Sequence, residues 1–487
     1  MFRKHPSPPR TRRLAAAGLA GLLAGALAFA VAPEPPRLGP SVTGDAALAQ
    51  SVRDAAGPEG HLGLSVALAE NGTVRTAGLG SAGGDRPVTP ATRFEIGSVT
   101  KTFTGMLLAG MAAKDGLDPR SPVPGLRRSI TYEELAAHRS GLPRLAPGFG
   151  TVARSAVARF THGNPYRGED AAAVRRGARE ARLSGRGKVA YSNLGMAVLG
   201  HALAERAGMP YPDLLKGRLL EPLGMRETGV WPPSGDRARG FTEAGHEEDP
   251  WIGDGYAPAG VGLWSTSGDL ARLAVAVLRG TAPGAAAATP RFTESETTRV
   301  GYGWFTTRTA RGEVTWHNGG TGGFSSYVGL DPATGRAVVV LGNTTKGVEY
   351  IGLRLLGHDA PARSAGAGAV LPIAVTVFFL LMAAVPPVEF ALRRKVSPVR
   401  PAPDRLGLLS TTAGAVFALL LAWLVGAWET MPPAIFALTA AITAAAAALA
   451  LSRWPGLPTA RTRTRRITAT LGLLVYAALT TALLLAN

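Results

Sequence analysis

The chain has 487 residues, 46% of them hydrophobic, a formal charge of +18 and no cysteine. Without cysteine, disulfides, thiolate zinc sites and a lipid-modified N-terminal cysteine are excluded. Residues 1–49 carry +4 and residues 366–487 carry +7, so only +7 falls on the segment between; this is the imprint of membrane topology and not of a nucleic-acid partner.

Arg3, Lys4, Arg10, Arg12 and Arg13 precede an uncharged apolar run over 14–32. That pattern is a signal peptide or a signal anchor, with Ala30-Val31-Ala32 and Ala47-Leu48-Ala49 as possible cleavage sites. Residues 33–40 read as a flexible spacer, and the leader and spacer together as residues 1–49. Residues 62–68 and 73–79 are expected to pair as strands around the tight turn Asn71-Gly72.

Ser98 and Lys101 then stand three apart in Phe94-Glu95-Ile96-Gly97-Ser98-Val99-Thr100-Lys101-Thr102-Phe103. On a helix they share a face. Val99, Phe103, Met106, Leu107 and Met111 give that helix an apolar stripe, and Gly116 ends it. The chain uses seven lysines against 45 arginines. A lysine here fits work that needs a titratable amine, because arginine does not lose its proton. Alone, the pair also fits a capping serine followed by a surface charge.

Thr131 and Glu134 form a capping-box pattern for a helix that His138 ends. Residues 146–186, rich in Gly, Ala and Arg, read as part of a substrate-binding rim, and helices are expected over 170–182, 196–207 and 269–279. Tyr191-Ser192-Asn193 supplies a Tyr-x-Asn; Asn193 has both an amide donor and an acceptor, suited to holding Lys101 and a substrate amide. Trp316-His317-Asn318-Gly319-Gly320 reads as a strand end whose glycines let backbone approach a substrate. A second hairpin, 324–330 with 336–341, turns at Asp331-Pro332-Ala333-Thr334-Gly335. The remaining histidines show no metal-ligand spacing.

The C-terminal part holds four apolar runs, about 366–386, 406–428, 433–451 and 467–485, each near the ~20 residues a spanning helix needs. Arg393, Arg394, Lys395, Arg400 and Arg405 fill the first connection; Arg453, Arg461, Arg463, Arg465 and Arg466 fill the third. The second connection has no basic residue. Positive-inside bias puts the first and third connections in the cytoplasm and the Ser98 domain outside. The expected organisation is a hydrolase domain over 50–357, a linker over 358–368 and a membrane region over 369–487.

Ser-x-x-Lys, Tyr-x-Asn and His-x-Gly in this order resemble the active-site motifs of the serine β-lactamase and penicillin-binding-protein superfamily. The similarity is to the branch of class C β-lactamases, D,D-carboxypeptidases and β-lactamase-like esterases. Leu135-Ala136-Ala137-His138-Arg139-Ser140-Gly141-Leu142-Pro143, Pro222-Leu223-Gly224-Met225, Pro258-Ala259-Gly260-Val261-Gly262-Leu263 and Ser265-Thr266-Ser267-Gly268-Asp269-Leu270 match it too. The resemblance runs from about Leu62 to Asn343. It implies an α+β fold, an antiparallel sheet flanked by helices plus a helical subdomain, with Ser98 at their interface.

It also implies an acyl-enzyme on Ser98, with Lys101 or Tyr191 as the base. Asn193, His317, Gly319 and Gly320 would bind substrate, and the backbone N–H groups of Ser98 and Gly320 would form an oxyanion hole. His317 stands where class C β-lactamases carry lysine, which disfavours a dedicated β-lactamase. The implied substrates are peptides ending in D-amino acids, as in peptidoglycan. An ester substrate, a transpeptidase or cyclase, or a β-lactam or wall-fragment sensor with little turnover are the alternatives. No cofactor and no nucleic-acid partner are expected; the other expected partner is a lipid bilayer.

Overall fold

The computed structural model describes residues 10–126, 129–230, 234–360, 367–392, 404–459 and 462–486. They form two units: Pro36–Ser364, and Met1–Pro35 together with Ala365–Asn487.

The first unit is built on one antiparallel sheet. Its strands run in the order Val42–Gly44, Thr73–Gly83, Gly63–Glu70, Arg336–Gly342, Ser325–Asp331, Gly312–Gly320, Phe305–Thr309, Thr298–Val300 and Phe292–Thr293, with the short Arg86–Pro87 beside Thr73–Gly83. Asn71 and Gly72 both have positive φ, 51° and 78°, as a two-residue hairpin with the sheet's right-handed twist requires. The second expected hairpin also forms; Asp331 Oδ1 accepts from Ala333 N and Thr334 N at 3.0 and 3.2 Å, which fixes its turn.

The central strands are buried on both faces and divide their side chains by the period of two. Leu64, Val66, Leu68, Val338 and Val340 pack on one side with Leu48, Val52 and Ile351 of the helices Ala46–Ala56 and Glu349–Leu355. Ala67, Val339 and Leu341 face the other core, shared with Phe103, Leu199 and Leu270 of the helices Thr100–Lys114, Asn193–Ala207 and Ser267–Leu278. The sheet thus lies between two helical layers.

Two sequence expectations change here. Val42–Gly44 is a sheet strand, and Leu48 and Ala49 are core residues of a helix capped by Asp45, so the folded unit begins before residue 50. Cutting after Ala49 would break that helix. The Thr100–Lys114 helix carries more than an apolar stripe: Thr100, Lys101, Thr102 and Thr104 are buried as well. Its threonine hydroxyls are satisfied, Thr100 on Gly97 O and Thr102 on Val99 O within the same segment, both at 2.7 Å, and Thr104 across the core on Pro258 O at 2.8 Å. Polar residues can therefore face the core all round the first turns.

In the second unit, Arg10–Ala30, Val370–Leu392, Arg405–Val425, Pro433–Leu451 and Arg466–Leu485 are long and apolar enough to cross a membrane, by length and composition. Most of the expected linker, residues 361–366, and most of the first basic connection, residues 393–403, lie outside the described residues.

Candidate active site

Strand Phe94–Glu95 and the turn Gly97–Val99 carry Ser98 to the start of the Thr100–Lys114 helix. Gly97 has φ 49°, and a Cβ on it would lie 2.8 Å from Gly320 N. A Cβ on Gly319 would lie 2.1 Å from Ile96 O and 3.0 Å from Ser98 N. The two glycines therefore let the strand Gly312–Gly320 run directly against the serine turn. Ser326, on the neighbouring strand, fastens the junction by donating to Ile96 O at 2.7 Å.

Ser98 is half-buried, and its Oγ lies 2.7 Å from Lys101 Nζ. Lys101 is wholly buried. That burial, assisted by the charge of Arg144, holds its pKa well below the usual amine value. A neutral amine has N–H donors and one lone pair. In that neutral form, donation to Ala259 O at 2.5 Å would leave the lone pair for the serine hydroxyl.

Tyr191 closes the other side, with its ring centroid 4.9 Å from Lys101 Nζ. Burial pushes the phenol up to about 12, so it keeps its proton near neutral pH. His138 supports this ring at a centroid distance of 4.6 Å, and its Nδ1 accepts from Ser192 N at 3.2 Å. The Thr131–Glu134 capping box forms as expected, and His138 follows it with φ 57°.

Asn193 opens the Asn193–Ala207 helix behind the Ser192 cap. Its Oδ1 is buried without a partner among the described residues. No hydrogen bond there joins it to Lys101, whose second partner is the Ala259 carbonyl. His317 is fully buried, and burial first and Lys101 second bring its pKa down to about 3. Its Nδ1 donates to Asn318 O at 2.5 Å. The other nitrogen, Nε2, is thus a buried acceptor, and it has no partner among the described residues. Asn318 points away, to Glu349 at 2.5 Å. Gly319 and Gly320 pair with Ser326 and Ser325 at the strand end.

Three contributors were not assigned from sequence. Ala259 acts through its carbonyl, which no residue type announces. Glu95 is buried, its pKa pushed up to about 8 by desolvation, and it accepts from Trp251 N at 2.8 Å beside the glycine turn. Its one sequence signal is an acid inside an apolar strand. Arg144 stacks over Tyr191 with its guanidinium 5.4 Å from the ring centroid.

A serine hydroxyl 2.7 Å from a buried lysine, against a strand end of an antiparallel sheet layered with helices, defines a β-lactamase-fold serine hydrolase. The sequence profile described as Beta-lactamase matches residues 48–360, and the chain belongs to that family. Among curated relatives, the "Unguisins hydrolase ungD'" of Aspergillus campestris is 27% identical over 339 residues, 61% of each chain. The "D-alanyl-D-alanine-carboxypeptidase/endopeptidase AmpH" of Escherichia coli K12 is 30% identical over 188 residues, 36% of this chain and 46% of that one. The chain thus spans about half to three fifths of these relatives. A crystal structure titled "Beta-Lactamase/D-Alanine Carboxypeptidase from Pseudomonas syringae" shares the fold, with TM-score 0.55 at 20% identity over 65% of this chain and all of the other.

Proposed function

We propose that the protein is a membrane-anchored serine hydrolase that works through an acyl-enzyme on Ser98, with its active-site domain outside the cytoplasm. The observation that carries the chemistry is the 2.7 Å approach of a buried, charge-depleted lysine to the serine hydroxyl. Ser98 Oγ attacks the acyl carbon while its proton passes to Lys101 Nζ. The N–H groups of Ser98 and Gly320 receive the oxyanion; each such donor lowers the barrier by on the order of 3 kcal/mol. The proton then reaches the leaving group through Tyr191, whose hydroxyl stays protonated near neutral pH. Water completes hydrolysis, and an amine in its place gives transfer.

For substrate, the reading is a peptide ending in D-amino acids. The similarity to a D-alanyl-D-alanine carboxypeptidase supports it. The neutral His317 offers a lone pair where a class C-type site has an ammonium, which disfavours a dedicated β-lactamase. With a pKa near 3, His317 stays uncharged from pH 5 to 8, so the substrate ranking should not change across that window. The full-length protein in detergent is expected to release D-alanine from an acyl-D-Ala-D-Ala peptide with higher kcat/KM than it hydrolyses penicillins, cephalosporins or a simple ester. Fast cephalosporin turnover with an inert peptide would reverse this reading. A preferred ester would make it an esterase. Stoichiometric penicillin binding without turnover of any donor would make it a sensor.

The orientation follows from charge. Single cysteines are readily interpreted in a chain that has none of its own. Pro432→Cys is expected to react with an impermeant thiol reagent in intact cells, and Arg463→Cys only after permeabilisation. Labelling of Arg463→Cys in intact cells would place the Ser98 domain inside.

A further inference from the structure

Among Ser98, Lys101, Tyr191, Asn193 and His317 no cation faces solvent. Lys101 is wholly buried with its amine on Ser98 and the Ala259 carbonyl, His317 presents an unpartnered acceptor, and Asn193 and Tyr191 are uncharged. Yet a peptide with a free C-terminus brings a carboxylate, which needs a cation or a set of N–H donors in a cleft of low dielectric.

Arg144 is an exposed cation beside Tyr191. It follows the Ser140-Gly141-Leu142-Pro143 turn, and that turn is fastened to the Tyr191 segment. Ser192 Oγ donates to Pro143 O at 2.7 Å, and Leu194 N donates to Arg144 O at 3.1 Å. Two residues further on, Ala146 N donates to the Tyr256 hydroxyl at 3.0 Å. The backbone under the arginine is therefore held from both sides, while its side chain is exposed. Stacking on Tyr191 at 5.4 Å restrains the guanidinium over the same ring that flanks Lys101. No carboxylate among the described residues pairs with it, unlike Arg154 and Arg186, which hold Glu169 and Glu134. Its charge is nonetheless felt at the reacting groups, since it lowers the proton affinity of both Lys101 and Tyr191.

We infer that Arg144 receives the substrate's carboxylate, so that the enzyme selects acyl donors carrying a free carboxylate near the scissile bond. The inference rests on the acyl-enzyme reading for the chemistry, and adds the residue that sets charge selectivity. The guanidinium fork accepts a carboxylate through two parallel N–H bonds, which a histidine lone pair cannot do. His317 Nε2 is then left for a substrate N–H.

The test compares each donor with its uncharged twin on full-length protein in detergent. The pairs are an acyl-D-Ala-D-Ala peptide with its C-terminal carboxamide, and benzylpenicillin with its methyl ester. Acylation of Ser98 is followed by intact mass and peptide turnover by product release. The wild type is expected to favour the carboxylate member of a pair by about 10- to 100-fold, the scale of a charge-assisted hydrogen bond. Arg144→Gln should shrink that preference to near unity, mainly through KM or the acylation rate constant. Arg144→Lys should restore part of it, and Arg144→Glu should reverse it. High salt should weaken the wild-type preference, because the arginine is exposed. An unchanged preference in Arg144→Gln, with Ser98 still acylated, overturns the inference, as does a wild type with no preference in either pair. An inert peptide sinks the carboxypeptidase reading alone, because the penicillin pair still decides the role of Arg144.

Discussion

Ser98→Ala is expected to lower turnover of the preferred donor by about 10⁶-fold, the scale seen when a serine nucleophile is deleted from a hydrolase. In the proposed mechanism the covalent bond falls to this hydroxyl, which is half-buried and within 2.7 Å of the amine. Alanine fits the same turn, so thermal unfolding should change little while activity disappears. Substrate affinity should survive, because Asn193, His317 and the glycine strand remain in place. The assay is product release over a day with the variant at high concentration, beside a circular dichroism melt. A fall of less than about a hundredfold would mean that another residue carries the acyl group.

Lys101→Met should cost about 10²- to 10⁴-fold in acylation, the usual contribution of a positioned base. Methionine fills the volume of the buried side chain without an amine, so the fold should hold; a buried amine replaced by an apolar isostere often stabilises. Lys101→Arg is the sharper variant. It introduces a permanent cation that cannot accept a proton, and it should be no better than methionine. The acylation rate of the wild type should rise with pH as Lys101 loses its proton and then level off. Because burial lowers that pKa, the plateau should begin well below the range of an ordinary lysine. In Lys101→Met this rising limb should vanish. An arginine variant with near-wild-type activity would remove lysine from the base role.

The motifs carry most of the site in plain view, for a physical reason. In the proposed reading Ser98, Lys101, Tyr191 and His317 act through their side chains, so their identities and order are restricted, and the structure brings them together. The hairpins were equally legible, since Asn71-Gly72 and Asp331–Gly335 are turn sequences with few other uses. Backbone roles were not. Ala259 contributes only a carbonyl, and its motif could be matched without revealing that it orients the lysine. Arg144 is one arginine among 45, and only the fastening of its turn beside Tyr191 distinguishes it. The stretch over 42–49 misled for another reason. Small apolar residues such as Ala47, Leu48 and Ala49 suit both a cleavage site and a helix packed on a sheet, and tertiary burial decides between them.

Peptide mapping of the wild-type protein after brief exposure to a fluorescent penicillin tests the acyl-enzyme most directly. The labelled peptide should contain Gly97-Ser98-Val99, with the whole mass increment on Ser98, one label per chain, and no label in Ser98→Ala. A label on any other residue, or one that persists in Ser98→Ala, would contradict the account.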